Sequence, residues 1–303
     1  MAASHLSHPH AGSGSPPKSI RAAFFLNAGF TLIEIAGGLL TNSTAILADA
    51  AHDLGDSFAL AQAWYFERLA GRGREGAYTY GYRRFSLLGG LITTAFLLAS
   101  SLFVLARAVP RLTRPDHSNA QGMVLLAVIG VAVNALAMKR LGKESGFSAR
   151  TVALHLLEDV LGWVAVLVVA VVLLFRNVPI LDPLLAILIT LYVLGRAVRN
   201  LRSIVPIFLE AAPKGTDLEA ISEGIGKIDH VRVVHHVHVW SLDGEHNVLS
   251  AHIVVDRDLA PEEYRRLKDD VRRVVEGLGL SHSTVEIELP DEACRIPGDI
   301  TCG

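Results

Sequence analysis

Six long apolar runs, separated by short polar stretches, leave this chain few folds to choose from. They fall at Ile20–Leu40, Ala45–Leu69, Phe85–Val109, Gly122–Leu141, Val152–Phe175 and Ile180–Leu201. A helix of roughly 20 apolar residues crosses the hydrocarbon core of a bilayer. A soluble domain of this length would instead scatter its apolar residues in periodic stripes. The chain is 51% hydrophobic and has a mean hydropathy of +0.39. Both agree with the pattern, and the expected fold is an α-helical membrane bundle of six transmembrane helices.

An even number of spans puts both termini on one side. Lys18, Arg21, Arg68, Arg72, Arg74, Arg83, Arg84, Lys139, Arg140, Lys143, Arg150, Arg196, Arg199 and Arg202 fall on that side. Only Arg107, Arg111, Arg114 and Arg176 fall on the other. Basic residues collect on the cytoplasmic face, so both termini are expected in the cytoplasm. A formal net charge of −2 gives no sign of a nucleic-acid partner. The two cysteines, Cys294 and Cys302, form no disulfide framework. Residues 1–17, with His5, His8 and His10, lack the layout of a secretory signal and read as a disordered tail.

Composition changes after Leu209. Pro213–Thr216 reads as a linker and Asp217–Lys227 as a short amphipathic helix. Val231–Leu242 and Val248–Val255 read as strands around an Asp243-Gly244 turn. Pro261–Glu276 reads as a helix with proline in its first turn, and Thr284–Leu289 as a last strand. The order αββαβ predicts a small α+β domain. The divisions expected are a transport domain over 18–209, a soluble domain over 210–290 and a tail over 291–303.

Two spans share a motif. The second holds His52-x-x-x-Asp56 and the fifth His155-x-x-x-Asp159. A spacing of four puts both side chains of each pair on one helical face. If the faces meet, two imidazoles and two carboxylates form a tetrahedral set suited to Zn²⁺. The same donors admit Co²⁺, Cd²⁺ or Fe²⁺. On a soluble helix one such pair would mean little. Inside a bilayer an ionisable residue is costly and marks an ion pathway.

Other polar residues lie in the same segments. Asp49, three residues before His52, is placed to fix its tautomer. Asp53 and Glu158 fit a water-filled access path or a proton path. Asn27, Glu34 and Asn134 fit either such a path or interhelical hydrogen bonds. Asp182-Pro183 reads as an N-cap followed by a first-turn proline.

These features together resemble the cation diffusion facilitator family of zinc-type exporters. The likeness runs from about Asn27 to Pro290. It is carried by Asn27, Phe30, Glu34, Gly37-Gly38, Ser43, Asp49-Ala50-Ala51-His52-x-x-x-Asp56 and Tyr80-Gly81-Tyr82-Arg83-Arg84. It continues through His155-Leu156-Leu157-Glu158-Asp159, Asp182-Pro183 and His236-x-His238-x-Trp240. Two departures stand out. Ser86 occupies a third-span position where the family often has Glu, and the stretch Leu141–Arg150 has no histidine where many zinc members are His-rich.

The resemblance implies transport-site ligands at His52, Asp56, His155 and Asp159, with Zn²⁺ as cargo and Cd²⁺ or Co²⁺ beside it. It also implies a ferredoxin-like cytoplasmic domain that pairs two copies and binds regulatory metal. His238, His252 and Glu288 match its ligands best, and Cys294 and Cys302 are further soft donors. Strand alternation places His236 and His238 on one face, His235 on the other, and Glu286 with Glu288 on a single face.

The expected activity is efflux of metal from the cytoplasm in exchange for protons, by alternating access, across a bacterial inner membrane. No enzyme activity is expected, since no His-Glu-x-x-His occurs and four protein ligands leave no open position for water. The metal and the proton are the small partners, and no resident cofactor is expected. The readings kept beside this one are a manganese or iron exporter of the same family and a membrane metal sensor that carries no flux.

Overall fold

All six apolar runs are helical in the computed structural model, which describes residues 18–70, 76–141, 147–277 and 280–292. The helices are α1 (Lys18–Thr41), α2 (Thr44–Ala70), α3 (Arg84–Thr113), α4 (Ala120–Leu141), α5 (Phe147–Phe175) and α6 (Leu181–Phe208). The tail with His5, His8 and His10, Lys143 in the α4–α5 connection, and Cys294 and Cys302 lie outside the described residues. The chain divides into two compact units, Met1–Leu201 and Arg202–Gly303.

Five described helices are long and apolar enough to cross a membrane: α1, α3, α4, α5 and α6. The second helix is not among them, because Asp49, Asp53, Asp56, Glu67 and Arg68 load it with charge. In the first unit α1 packs on α2 and α4, α2 on α3 and α5, and α4 on α5. The surface is apolar, with Leu26 74%, Leu40 83% and Phe175 80% exposed. The interior holds Glu34, Asp49, Asp53 and Asn134 among its buried residues. Apolar outside with acids inside is the arrangement a bilayer imposes.

Small residues let the helices close. Ala45, Ile46, Ala48, Met123, Ala127, Trp163, Val166 and Ala170 form the core. The Trp163 indole lies flat against Gly130 of α4, where any Cβ would collide with the ring. Its edge meets Phe30 at 5.9 Å between centroids.

The second unit contains α7 (Leu218–Gly226), β1 (Val231–Ser241), β2 (Asn247–Val255), α8 (Pro261–Gly277) and β3 (His282–Glu288). This is the expected αββαβ order. Asp217 caps α7 by accepting from Ala220 N at 3.0 Å. The sheet order is β1-β2-β3, with β1 antiparallel to β2 and β3 parallel to it. Leu249, Ala251, Ile253 and Val255 alternate along β2 and pack against Ile221 and Ile225 of α7 and Leu267, Val271 and Val275 of α8. Period-two alternation turns His252 to the opposite sheet face.

The pairing of β1 with β2 is irregular at two places, between Val231 and Val233 and among the histidines, and the second breaks the expected alternation. His235 pairs with His252 and His238 with Ser250, so two residues of β1 oppose one of β2. This is a β-bulge. His236 takes the strained φ of +49° inside it. His235 and His236 are consequently both buried, and His238 is exposed.

Candidate metal centre

The two His-x-x-x-Asp motifs meet. His52 Nε2 lies 3.6 Å from Asp56 Oδ2 one turn away on α2. His155 Nε2 on α5 lies 3.2 Å from the same oxygen and 3.8 Å from Asp159 Oδ2. The two imidazoles stand 6.1 Å apart and nearly perpendicular, at 87°. Donor atoms of His52, His155 and Asp159 all fall within 4.8 Å of one another. Ligands about 2.0–2.1 Å from a tetrahedral zinc are about 3.3 Å apart, and the His–Asp contacts of 3.2, 3.6 and 3.8 Å lie near that spacing.

Asp56 Oδ2 is buried between the two imidazoles, within ion-pair range of both, while His52 Nδ1 is buried without a hydrogen-bond partner. A cation seated among the four residues would take lone pairs from two imidazoles and two carboxylates.

The neighbouring acids divide differently from expectation. Asp49 does not bond to His52, since Nδ1 is unpartnered; its carboxylate lies instead beside Gly162 of α5. Asp53 is buried with its side chain beside Glu34. Glu158 is exposed and bonded to Arg196 of α6. Asn27 ties α1 to α2 through Asp53 O at 3.1 Å and Ser57 Oγ at 3.0 Å. Asn134 bonds only to Gly130 O of its own helix among its described contacts.

Asp182 is not the cap of its own helix. It sits inside the first turn of α6, and its carboxylate receives the start of α2. The sequence holds no signal for this, because an Asp-Pro opening a helix is locally sufficient as a cap.

A second cluster lies on the helix-free face of the sheet. His235 Nε2 is 2.9 Å from Glu288 Oε2, and His252 Nδ1 is 2.7 Å from Glu288 Oε1. His252 Nε2 is 3.6 Å from Glu286, which confirms that both acids of β3 share one face. Burial disfavours the Glu288 charge, but hydrogen bonds from His252 and His235 outweigh it and hold the carboxyl below its ordinary range. The donor atoms of His235, His252 and Glu288 lie within 4.8 Å of one another. The structure therefore groups His252 and Glu288 with His235, and leaves His238 outside the trio, its ring 6.3 Å from that of His236.

Residues 20–209 match the family profile described as the cation efflux transmembrane domain, and residues 213–289 match the cation efflux protein cytoplasmic domain. The chain belongs to the cation diffusion facilitator family. Among its relatives is the cadmium, cobalt and zinc/H(+)-K(+) antiporter of Bacillus subtilis, 30% identical over 93% of this chain and 92% of that protein. The metal cation efflux system protein CzcD of Cupriavidus metallidurans is 31% identical over 95% and 91%. The zinc transporter ZitB of Escherichia coli is 32% identical over 96% and 94%. The facilitator described here is thus an integral membrane protein with a helical membrane domain and a soluble domain built on a small sheet.

Proposed function

We propose that this facilitator exports zinc, with cadmium or cobalt as companions, from the cytoplasm in exchange for protons at His52, Asp56, His155 and Asp159. One observation carries the reading: Asp56 Oδ2 is held between imidazoles of two helices, 3.6 Å from His52 and 3.2 Å from His155. Two neutral imidazoles and two carboxylates carry a charge that one divalent cation cancels. The names of the relatives, which print cadmium, cobalt and zinc, support the range of cargo.

Exchange follows from ligand chemistry. A ligand must shed its proton to hold metal, so metal and protons compete for the same atoms. Histidine, with an ordinary pKa near 6.5, makes that competition sensitive around neutral pH. The bundle loads zinc from one side, reopens to the other, and there trades it for protons.

The remaining architecture is part of the proposal. All six helices span, with α2 the charged sixth, and both termini are cytoplasmic in a bacterial inner membrane. Residues 18–209 carry transport, with Asp49, Asp53 and Glu158 lining the path. Residues 210–290 form a ferredoxin-like domain that pairs two copies and holds regulatory metal at His235, His252 and Glu288.

Purified protein in vesicles tests the core of this. An acid interior is expected to accelerate zinc uptake, and a protonophore to abolish the acceleration. Flux indifferent to the gradient refutes the exchange. Undiminished flux in His155→Ala refutes the site.

A further inference from the structure

The first turn of α2 is held by a carboxylate from another helix. Ser43 Oγ donates to Asp182 Oδ1 at 2.5 Å and Thr44 Oγ1 to Oδ2 at 2.7 Å. The backbone N–H of Thr44 donates to Oδ2 at 2.7 Å and that of Ala45 to Oδ1 at 3.2 Å. Ser43 Oγ in turn accepts from Ile46 N at 3.2 Å, as an in-chain cap does. Asp182, Ser43 and Thr44 are all buried.

This is more than α2 needs for its own stability. Ser43 already caps the helix from within the chain. The added carboxylate meets the positive end of the α2 dipole and takes two orphan N–H groups at once. Charge-assisted bonds of this kind are short and directional. Close packing and interhelical hydrogen bonds hold helices in register within a bilayer, and Asn27 supplies two such bonds to α2 at Asp53 and Ser57. A four-bond clamp fixes both the height and the rotation of α2 at its start.

Height and rotation are what the metal site depends on. His52 and Asp56 lie about 12 and about 18 Å along α2 from Thr44, at 1.5 Å per residue. A coordination shell tolerates errors of only about 0.5 Å or about 10–20° in its ligands. Turning α2 by one residue would carry His52 and Asp56 off the face that meets His155.

We propose that Asp182 is a positioning residue for transport: without touching the metal, it clamps the start of α2 to α6 and so sets the presentation of His52 and Asp56. The proposal rests on the four-ligand reading, and His155→Ala tests that reading separately, since it removes zinc flux whatever Asp182 does.

The test uses the full chain in vesicles, with zinc KM, the ratio of zinc to cadmium flux and the thermal midpoint measured for each variant. Asp182→Asn loses the charge and turns an N–H₂ toward backbone donors. It is expected to raise the zinc KM by less than the about 10–100-fold that loss of a direct partner of a metal ligand brings, and to change the metal ratio. The double variant Ser43→Asp/Asp182→Ala puts a carboxylate cap back on α2 from its own chain but leaves no polar side chain at that position of α6 to tie to it. Its thermal midpoint is expected to recover while KM and the metal ratio stay altered. Thr44→Val, which keeps the carboxylate and removes one bond, is expected to shift KM the same way by less. Wild-type KM and metal ratio in the double variant overturn the proposal. So does an Asp182→Asn protein that only folds in lower yield, with wild-type KM in what remains. If neither of those variants folds, an unchanged KM in Thr44→Val overturns it.

Discussion

Asp56 of α2 stands closer to His155 of α5, at 3.2 Å, than to His52 of its own helix, at 3.6 Å. The tightest contact of the four-residue cluster therefore crosses between helices. Helical spacing brings each His to its own Asp, but only packing of α2 on α5 makes one site from two motifs.

It follows that Asp56 and His155 act as a unit. Asp56→Ala and His155→Ala are each expected to reduce zinc affinity beyond the about 10–100-fold typical of an outer partner. The double variant is expected to lose little more than either single one, because neighbours in one site are not additive. Zinc titration of the purified single and double variants checks this. Additive losses would separate the two residues.

Gly130 and Trp163 make the second prediction. The indole occupies the space a side chain would need at Gly130, and the core around Trp163 is closed by Met123, Ala127 and Val166. Gly130→Val is expected to destabilise the bundle by about 1–3 kcal/mol through overpacking, seen as a lower thermal midpoint. In a Trp163→Ala background, itself less stable by about 3–5 kcal/mol, adding Gly130→Val should cost little further, since the smaller side chain vacates the space. A midpoint unmoved by Gly130→Val would remove this contact from the account of the core.

Most of this was legible in the sequence for a physical reason. Lipid makes hydrophobic length visible, so α1, α3, α4, α5 and α6 stand out by length and composition, and the paired His-x-x-x-Asp motifs stand out by their spacing in α2 and α5. The αββαβ order was legible because Asp217, Asp243-Gly244 and Pro261 punctuate it locally. What could not be read was long-range or irregular. Asp182 satisfies local rules for a cap, so nothing in its neighbourhood points to α2. The bulge at His236 leaves no sequence signature in an unbroken β-branched and histidine run. Glu158 bonds to Arg196 across 38 residues of chain, a pairing no local rule gives.

A pH dependence follows from the start of α8. Glu263 accepts from Arg257 Nη2 at 2.7 Å and Nη1 at 3.0 Å, and from Ala260 N at 2.9 Å. The Arg257 bonds, and after them the Ala260 N–H, hold its carboxyl at about 2 against an ordinary 4.5. A folded pKa below the unfolded one stabilises above the unfolded value and is lost as pH falls toward the folded value. The stability gap between wild type and Glu263→Gln should thus be widest above about pH 5 and shrink on acidification toward about pH 2. Thermal unfolding across that window measures it, and high salt should shrink it too, because the pair is solvent-exposed. A gap that widens on acidification contradicts the assignment.

The β1 bulge separates two ligand sets for the cytoplasmic domain. Plain alternation would offer His238 to the metal beside His252 and Glu288. The extra residue instead turns His235 to the His252 face, where it bonds Glu288 at 2.9 Å, and leaves His238 exposed. In a His155→Ala background, where the membrane site is silenced, His235→Ala is expected to abolish the remaining zinc binding and the rise in thermal midpoint that zinc produces. His238→Ala is expected to keep both, because its ring lies outside the trio. Equilibrium zinc titration of the three proteins decides between them. Zinc retained in His235→Ala and lost in His238→Ala would mean that bound metal straightens the strand and that the bulge belongs only to the metal-free sheet.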